Sequence, residues 1–183
     1  MKKNETMFMY VLRLAGTLLL ITSIVAACLA GVNAITEPKI RQIQEEKTQA
    51  AIEEVLHGGG VEIDFTDDSG LVSVVYKGES GYAVQVAPVG FDGAITMMVG
   101  VDFEGKVLGI SVISHTETAG LGAVAAAGTP AGIAFRDQFV GASGSVSVTK
   151  DGGTMDAITG ATITSRAICV GVNAALDAVA GLG

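Results

Sequence analysis

The sequence predicts an α+β fold: a single N-terminal transmembrane helix followed by a mostly antiparallel β-sheet domain with packed helices. Three observations carry that prediction. Residues 14–35, LAGTLLLITSIVAACLAGVNAI, hold no charged side chain over 22 positions, about 33 Å as a helix and enough to cross a bilayer core. Five short runs between residues 61 and 115 are rich in Val and Ile and are separated by turn residues. From Ile163 onward, apolar residues recur at helical spacing. Strands in runs followed by helices are the pattern of an α+β domain rather than of alternating βαβ units.

The N-terminal span comes first. Lys2, Lys3 and Arg13 precede it against Glu5 alone, so the excess of basic residues places the N-terminus in the cytoplasm and the bulk of the chain outside it. A cleaved secretory signal has a shorter apolar core and a polar mature start. A lipoprotein signal is the nearer rival, because VAAC at 25–28 matches a lipobox with Cys28 as the lipidated residue. Lipoproteins turn polar after that cysteine, whereas residues 29–35 stay mostly apolar. The expected organisation is a cytoplasmic N-terminus and transmembrane helix over 1–36, a juxtamembrane helix over 37–57 and an extracytoplasmic domain over 58–183.

In the juxtamembrane segment, Pro38 suits a first helical turn, and Ile40, Ile43, Ala50, Ala51 and Val55 form a partial apolar face. His57 is the expected last helical residue, with Gly58, Gly59 and Gly60 ending the helix. Strands are expected at 61–65, 71–77, 81–89, 94–102 and 107–115. The last two flank FEGK, a hairpin turn with Gly105 where positive φ is needed. Short helical pieces follow between 119 and 141, one of them capped by Thr129 and opened by Pro130. SVSVTK at 145–150 alternates and predicts a final strand. In the closing helix, Ile163, Ala167, Val170, Ala174 and Ala178 form the expected apolar face, with Arg166, Asn173 and Asp177 on another.

Charge and cysteine usage narrow the function. Residues 1–57 carry six acidic and six basic side chains, so residues 58–183 hold the whole net charge of −8. An acidic domain without a basic stripe excludes nucleic acid as a partner class. Cys28 and Cys169 are the only cysteines and make no disulfide framework; Cys169 reads as a small buried residue. His115 has no second His or Cys at metal-ligand spacing, and no metal site is expected.

Two motifs carry chemistry. In TGATITSRA, 159–167, four hydroxyls (Thr159, Thr162, Thr164 and Ser165) crowd around Gly160 at the start of the closing helix. Such a start exposes unpaired N–H groups and the positive end of the helix dipole, so it suits a phosphate. Spacing alone leaves two readings open, a plain helix cap and a phosphate site. In SHTETAGLG, 114–122, a strand ends and a glycine-containing loop with Glu117 follows. Such a loop is either a ligand loop or a structural turn with a solvated Glu.

Together these residues resemble a known family. DAITGAT, 156–162, is similar to the flavinylation motif of FMN-binding domains. Residues 99–122, VGVDFEGKVLGISVISHTETAGLG, resemble the second hallmark of the G subunit of the Rnf electron-transport complex and of its relative, the C subunit of the Na⁺-translocating quinone reductase. Ala119 stands where that family often has proline. The resemblance covers nearly the whole chain, including the single span. It implies FMN joined through its phosphate to the hydroxyl of Thr162 by a flavin transferase that reads Asp156, Thr159, Gly160 and Ala161. It further implies that Thr164 and Ser165 lie around the phosphate, and that Glu117, Thr118, Gly120 and Leu121 contact the flavin. The implied role is an electron-transfer component, partnered by the other membrane and redox subunits of an Rnf-type ferredoxin:NAD⁺ oxidoreductase that couples electron transfer to ion translocation. No independent catalysis beyond flavin redox cycling follows from it. Three alternatives stand beside this: the sister C subunit of the quinone reductase, a stand-alone extracytoplasmic flavoprotein carrier, and a non-redox module whose hydroxyl cluster is only a cap.

Overall fold

The computed structural model describes residues 2–66 and 69–182, with the side chains of residues 2–6 and 8 left out of the description. Lys2, Lys3 and Glu5, on which the expected orientation rests, fall among those side chains. The chain divides into two units, 1–45 and 46–183.

Helix α1 runs from Lys2 to Leu56 with Pro38 inside it. In the first unit every described side chain is exposed, the apolar ones included. The hydroxyls of Thr17, Thr22 and Thr36 are satisfied within the helix. Thr17 Oγ1 donates to the carbonyls of Arg13 (3.0 Å) and Leu14 (2.9 Å), and Thr22 Oγ1 to those of Leu18 and Leu19 (both 3.0 Å). Threonines that bond their own helix add little polar surface, which is what lipid requires of a spanning segment.

In the second unit, five antiparallel strands form a meander in the order β1 to β5: Val61–Ile63, Val72–Lys77, Gly81–Val86, Thr96–Asp102 and Val107–Ser114. The β4–β5 hairpin turns as expected. Gly105 has φ +79°, and Asp102 Oδ1 accepts from the N–H groups of Glu104 (2.9 Å) and Lys106 (2.8 Å). Two further helices follow, α2 (Pro130–Asp137) and α3 (Thr162–Ala180), with a 3-10 turn at Gly122–Ala126. Thr129 caps α2 by accepting from Gly132 N (3.3 Å), and Pro130 opens it.

Both faces of the sheet are covered, which is why β4 reads TMMVGVD rather than alternating. On one face, Ala51, Ile52, Val55 and Leu56 at the end of α1 pack on Ala83, Met98 and Ile113. On the other, Val84, Val86, Met97, Val99 and Val101 meet Phe135 and Phe139 and the α3 residues Ile168, Val172 and Leu176. Helices reach the sheet through glycines. A Cβ on Gly100 would lie 2.8 Å from both Val55 Cβ and the Val55 carbonyl oxygen. A Cβ on Gly171 would collide with Met97 Cε and approach Pro88 and Val86.

Four sequence expectations are corrected here. Helix α1 ends at Leu56, and His57 adopts the left-handed cap at φ +46°, its N–H bonding Glu53 O at 3.0 Å. Ile40 and Ile43 are exposed, and the face that packs is built by Ala51, Ile52, Val55 and Leu56. The segment 145–150 forms no strand of the sheet. Val146 and Val148 do alternate into the core, but the backbone of Val146 is paired by a side chain: Asn173 Oδ1 accepts from its N–H (2.8 Å) and Asn173 Nδ2 donates to its carbonyl (2.9 Å). In α3, Ala167 and Ala178 are buried as expected, but the buried face also takes in Thr164, Ile168, Gly171, Val172, Ala175, Leu176 and Val179, while Ile163 and Val170 are about half exposed. Gly171 lies on the contact line because the helix approaches the sheet too closely there for any side chain.

Replacing Gly100 by Ala should cost about 1–3 kcal/mol through overpacking against Val55. Gly128→Ala, where an added Cβ meets nothing within 4 Å, should stay within about 0.5 kcal/mol. Urea unfolding of the full chain in detergent, followed by circular dichroism, separates the two.

Candidate functional site

The two motifs meet in one cavity. Glu117, Thr118, Leu121 and Gly122 from the loop after β5 line it together with Gly160, Ala161, Thr162, Ile163 and Thr164 from the start of α3, and its volume is about 310 Å³. Phe91, from the loop between β3 and β4, and Lys150 complete the lining.

Glu117 organises this cavity. Its carboxylate is only 7% exposed, and both oxygens are engaged. Oε1 accepts from the backbone N–H groups of Phe91 (2.8 Å) and Asp92 (3.1 Å), and Oε2 accepts from the Thr164 hydroxyl (2.5 Å). One side chain thereby joins the β3–β4 loop, the loop after β5 and the first turn of α3. Burial by itself raises the carboxyl's pKa. The Thr164 hydroxyl, the two backbone donors and the nearby His115 more than offset it, so the net direction is down. Added side-chain bulk is excluded around the carboxylate: a Cβ on Gly90 would strike Oε1, and one on Gly122 would strike Oε2 and the Thr164 hydroxyl. The loop itself closes on one carbonyl, Thr118 O, which accepts from Leu121 N (3.2 Å) and Ala123 N (3.1 Å). It turns at Gly120, φ +75°, with alanine at 119.

The hydroxyls at the α3 start do not cap it. The N-cap residue is Ala161, which has no capping side chain. The helix opens instead through a turn at Gly160 (φ +78°), in which Ala161 N donates to Ile158 O at 2.9 Å. A Cβ on Gly160 would come 3.0 Å from Leu121 Cδ2, so this glycine also sets how closely the two motifs approach. The first intrahelical bond runs from Ser165 N to Ala161 O (3.0 Å), which leaves the N–H groups of Thr162, Ile163 and Thr164 at the open end of the helix. Ser165 is fully buried; its hydroxyl donates to Ala161 O (3.0 Å) and accepts from Ile158 N (3.0 Å). Thr164 is buried with its hydroxyl on Glu117. Thr162 is half-buried, and its Oγ1 accepts from Lys150 Nζ at 3.0 Å.

Other residues singled out from the sequence lie next door. Gly120, Asp156 and Thr159 line a separate, more open groove with Phe135, Gln138 and Ile158. Gln138 anchors that groove: its Oε1 accepts from Asp156 N (2.7 Å) and its Nε2 donates to Asp156 O (3.3 Å).

Lys150 and Phe91 are the site residues that the motifs alone do not reveal. Lys150 is 12 positions before Thr162 and Phe91 is 26 before Glu117. A weak signal for the lysine does exist, since it is one of five basic residues in the acidic domain. Phe91 is 66% exposed, and Leu121 and Ile163 are also exposed beside it, so the mouth of the cavity is apolar. Chemically, the site offers an anion a lysine and a helix start, and offers a planar apolar group a flat wall. These features fit FMN, which has a phosphate at one end and an aromatic ring at the other. Cys169, behind the site on α3, is buried; loss of hydration pushes its thiol up to about 11, with Asp151 adding to the effect. It is inert packing rather than a nucleophile.

The FMN-binding domain family matches residues 90–177. A protein from Methanosarcina acetivorans, named as the G subunit of an ion-translocating oxidoreductase complex, is 35% identical over 179 residues, spanning 89% of this chain and 91% of its own. The G subunit of the Na(+)-translocating ferredoxin:NAD(+) oxidoreductase complex of Acetobacterium woodii is 32% identical over 190 residues, spanning 88% of each. The G subunit of the ion-translocating oxidoreductase complex of Cronobacter sakazakii is 33% identical over 176 residues, spanning 83% of this chain and 82% of its own.

Glu117→Ala should destabilise the domain by about 1–3 kcal/mol, because it removes the acceptor of two backbone N–H groups and of the buried Thr164 hydroxyl. The pH dependence follows from the lowered carboxyl. Its contribution is full above the ordinary carboxylate value near pH 4.3 and is lost as pH falls through the lower folded value. The stability gap between the native chain and Glu117→Gln should therefore be widest at neutral pH and close in acid. Thermal unfolding of both between pH 3 and 7 measures it.

Proposed function

The chain belongs to the G-subunit family of ion-translocating oxidoreductase complexes, and on that premise we propose that it is the membrane-anchored flavoprotein of an Rnf-type ferredoxin:NAD⁺ oxidoreductase, carrying FMN as a phosphoester of Thr162. The observation that carries this reading is the meeting of the two motifs in one cavity, with the Thr162 hydroxyl on its wall. The flavin, when bound, takes up and passes on one or two electrons. The chain's own residues anchor and orient it. Thr162 supplies the ester oxygen, and the open N–H groups of the first turn of α3 face the phosphate. Phe91, Leu121 and Ile163 give the ring an apolar wall, and Thr118 lies on the same lining. Glu117, Thr164 and Ser165 act from behind, since their polar atoms are spent on holding the two loops together. Asp156 and Thr159 lie in the exposed neighbouring groove, where a flavin transferase gains access to them without entering the cavity.

A covalent bond suits a carrier outside the cytoplasm, where a dissociated flavin would be diluted without replacement. Residues 14–35 cross the membrane with the N-terminus inside, and the domain faces the extracytoplasmic side beside the other subunits of the complex.

Co-expression with a flavin transferase should yield a protein band that fluoresces as flavin on a denaturing gel, and the Thr162→Ala band should be dark. Fragmentation of the tryptic peptide 151–166, which holds all four hydroxyls of the cluster, should place the added mass on Thr162. A dark native band, or mass on another residue, would refute the attachment. For the topology, alkaline phosphatase fused after the last residue should be active and a cytoplasm-dependent fluorescent protein should not.

A further inference from the structure

We propose that Lys150 selects Thr162 as the acceptor of the flavin phosphate, a role that rests on the covalent attachment proposed above. Four hydroxyls lie within seven residues, and their surroundings separate them. Ser165 is buried between Ala161 O and Ile158 N. Thr164 is buried with its proton on Glu117. Thr159 is exposed in the groove that also holds the Asp156 carboxylate. Thr162 alone of the four has a cation on its oxygen, Lys150 Nζ at 3.0 Å.

An ammonium that donates to Oγ1 occupies one lone pair and leaves the hydroxyl hydrogen directed elsewhere. It also stabilises the negative charge that grows on the oxygen as the proton departs. With flavin–adenine dinucleotide as donor, the Oγ1–phosphorus bond forms while the pyrophosphate bond to the adenylate half breaks. AMP leaves with the electron pair, and the hydroxyl proton is released to the medium. The product is a phosphodiester with one negative charge, and Lys150 remains beside it as counter-ion.

Lys150 is held for this task. It sits in a 3-10 turn, Thr149–Asp151, closed by Gly152 at φ +85° and preceded by the buried Val148. The adjacent Asp151 makes a two-pronged ion pair with Arg166, Nε to Oδ2 at 2.7 Å and Nη2 to Oδ1 at 2.6 Å. Arg166 lies one helical turn after Thr162, so the pair fastens the lysine turn to the first turns of α3. An exposed pair of this kind contributes little to stability. Its effect is on position.

The test follows covalent flavin uptake by intact mass, using the full-length chain in detergent, a purified flavin transferase and flavin–adenine dinucleotide. Lys150→Gln should lower the rate at saturating chain by about tenfold, the scale of one charge-assisted hydrogen bond. The half-saturating chain concentration should be unchanged. Lys150→Arg should stay within about threefold of the native rate, and Asp151→Asn should fall between. Thermal unfolding of all three should match the native chain. Native-rate uptake by Lys150→Gln overturns the proposal, as does equal loss in the Arg and Gln variants. A native chain that takes up no covalent flavin overturns the attachment itself, and this role with it.

Discussion

A buried carboxylate holds this domain's working end together. Glu117 lies where an ion is costly to keep, and it persists because each oxygen is met by donors the fold supplies. Those donors belong to two segments, the β3–β4 loop and the start of α3, far in sequence from each other and from the loop that carries Glu117. The β3–β4 loop and the loop after β5 are irregular and are also joined by the Thr116 hydroxyl, which donates to Asp92 O at 2.6 Å. Gly90 and Gly122 make room for the carboxylate in this arrangement. Remove the charge, and the cavity loses the one group common to all its walls.

The sheet delivers Glu117 to that point. Strand β5 pairs with β4 as far as Ser114, across register shifts at Gly100/Val101 and Thr96/Met97, and the loop leaves its end directly into the cavity. Strand position is in turn fixed from both faces, by the last turns of α1 on one side and by α2 and α3 on the other. Close approach at Gly171 seats α3 against Met97, Pro88 and Val86, and the Thr164–Glu117 hydrogen bond ties its first turn to the loop after β5. The C-terminal end of α1 is therefore part of the domain's core.

Under the proposed function, this division of labour is economical in chemistry. A flavin carrier has to fix where the cofactor is attached and how its ring lies, and the cofactor contributes the redox step. The polar groups nearest the cavity accordingly serve as struts. Only Thr162 and its lysine neighbour are left for chemistry at the attachment point, and the apolar rim of Phe91, Leu121 and Ile163 is left for the ring.

Much of the fold was legible because its signals are local. The uncharged run at 14–35, the five strand patterns, the turn at Gly105 and the Thr129–Pro130 helix start depend on neighbours within a few positions. The two motifs were legible for the same reason. What failed was what required knowing the partner. Alternation at 145–150 is real, yet Val146 pairs with the Asn173 side chain and residues 147–149 with the turn at Met155 instead of a strand of the sheet. The packed face of α3 was placed only in part: Ala167 and Ala178 are buried as expected, but Ile163 and Val170 are half exposed, and contact also runs through Gly171, a residue that hydrophobic periodicity ignores. Spacing left the crowded hydroxyls of TGATITSRA open between a cap and a phosphate site, whereas three of them are told apart by what lies across from them: Glu117 for Thr164, Lys150 for Thr162, and the turn backbone for Ser165. The sequence by itself determined the uncharged N-terminal run, the positions of the five strands along the chain and the two motifs, since these rest on short-range pattern. Only the tertiary structure decided which hydroxyl faces the cavity and which residues join it there, because those choices depend on long-range contacts that no local spacing encodes.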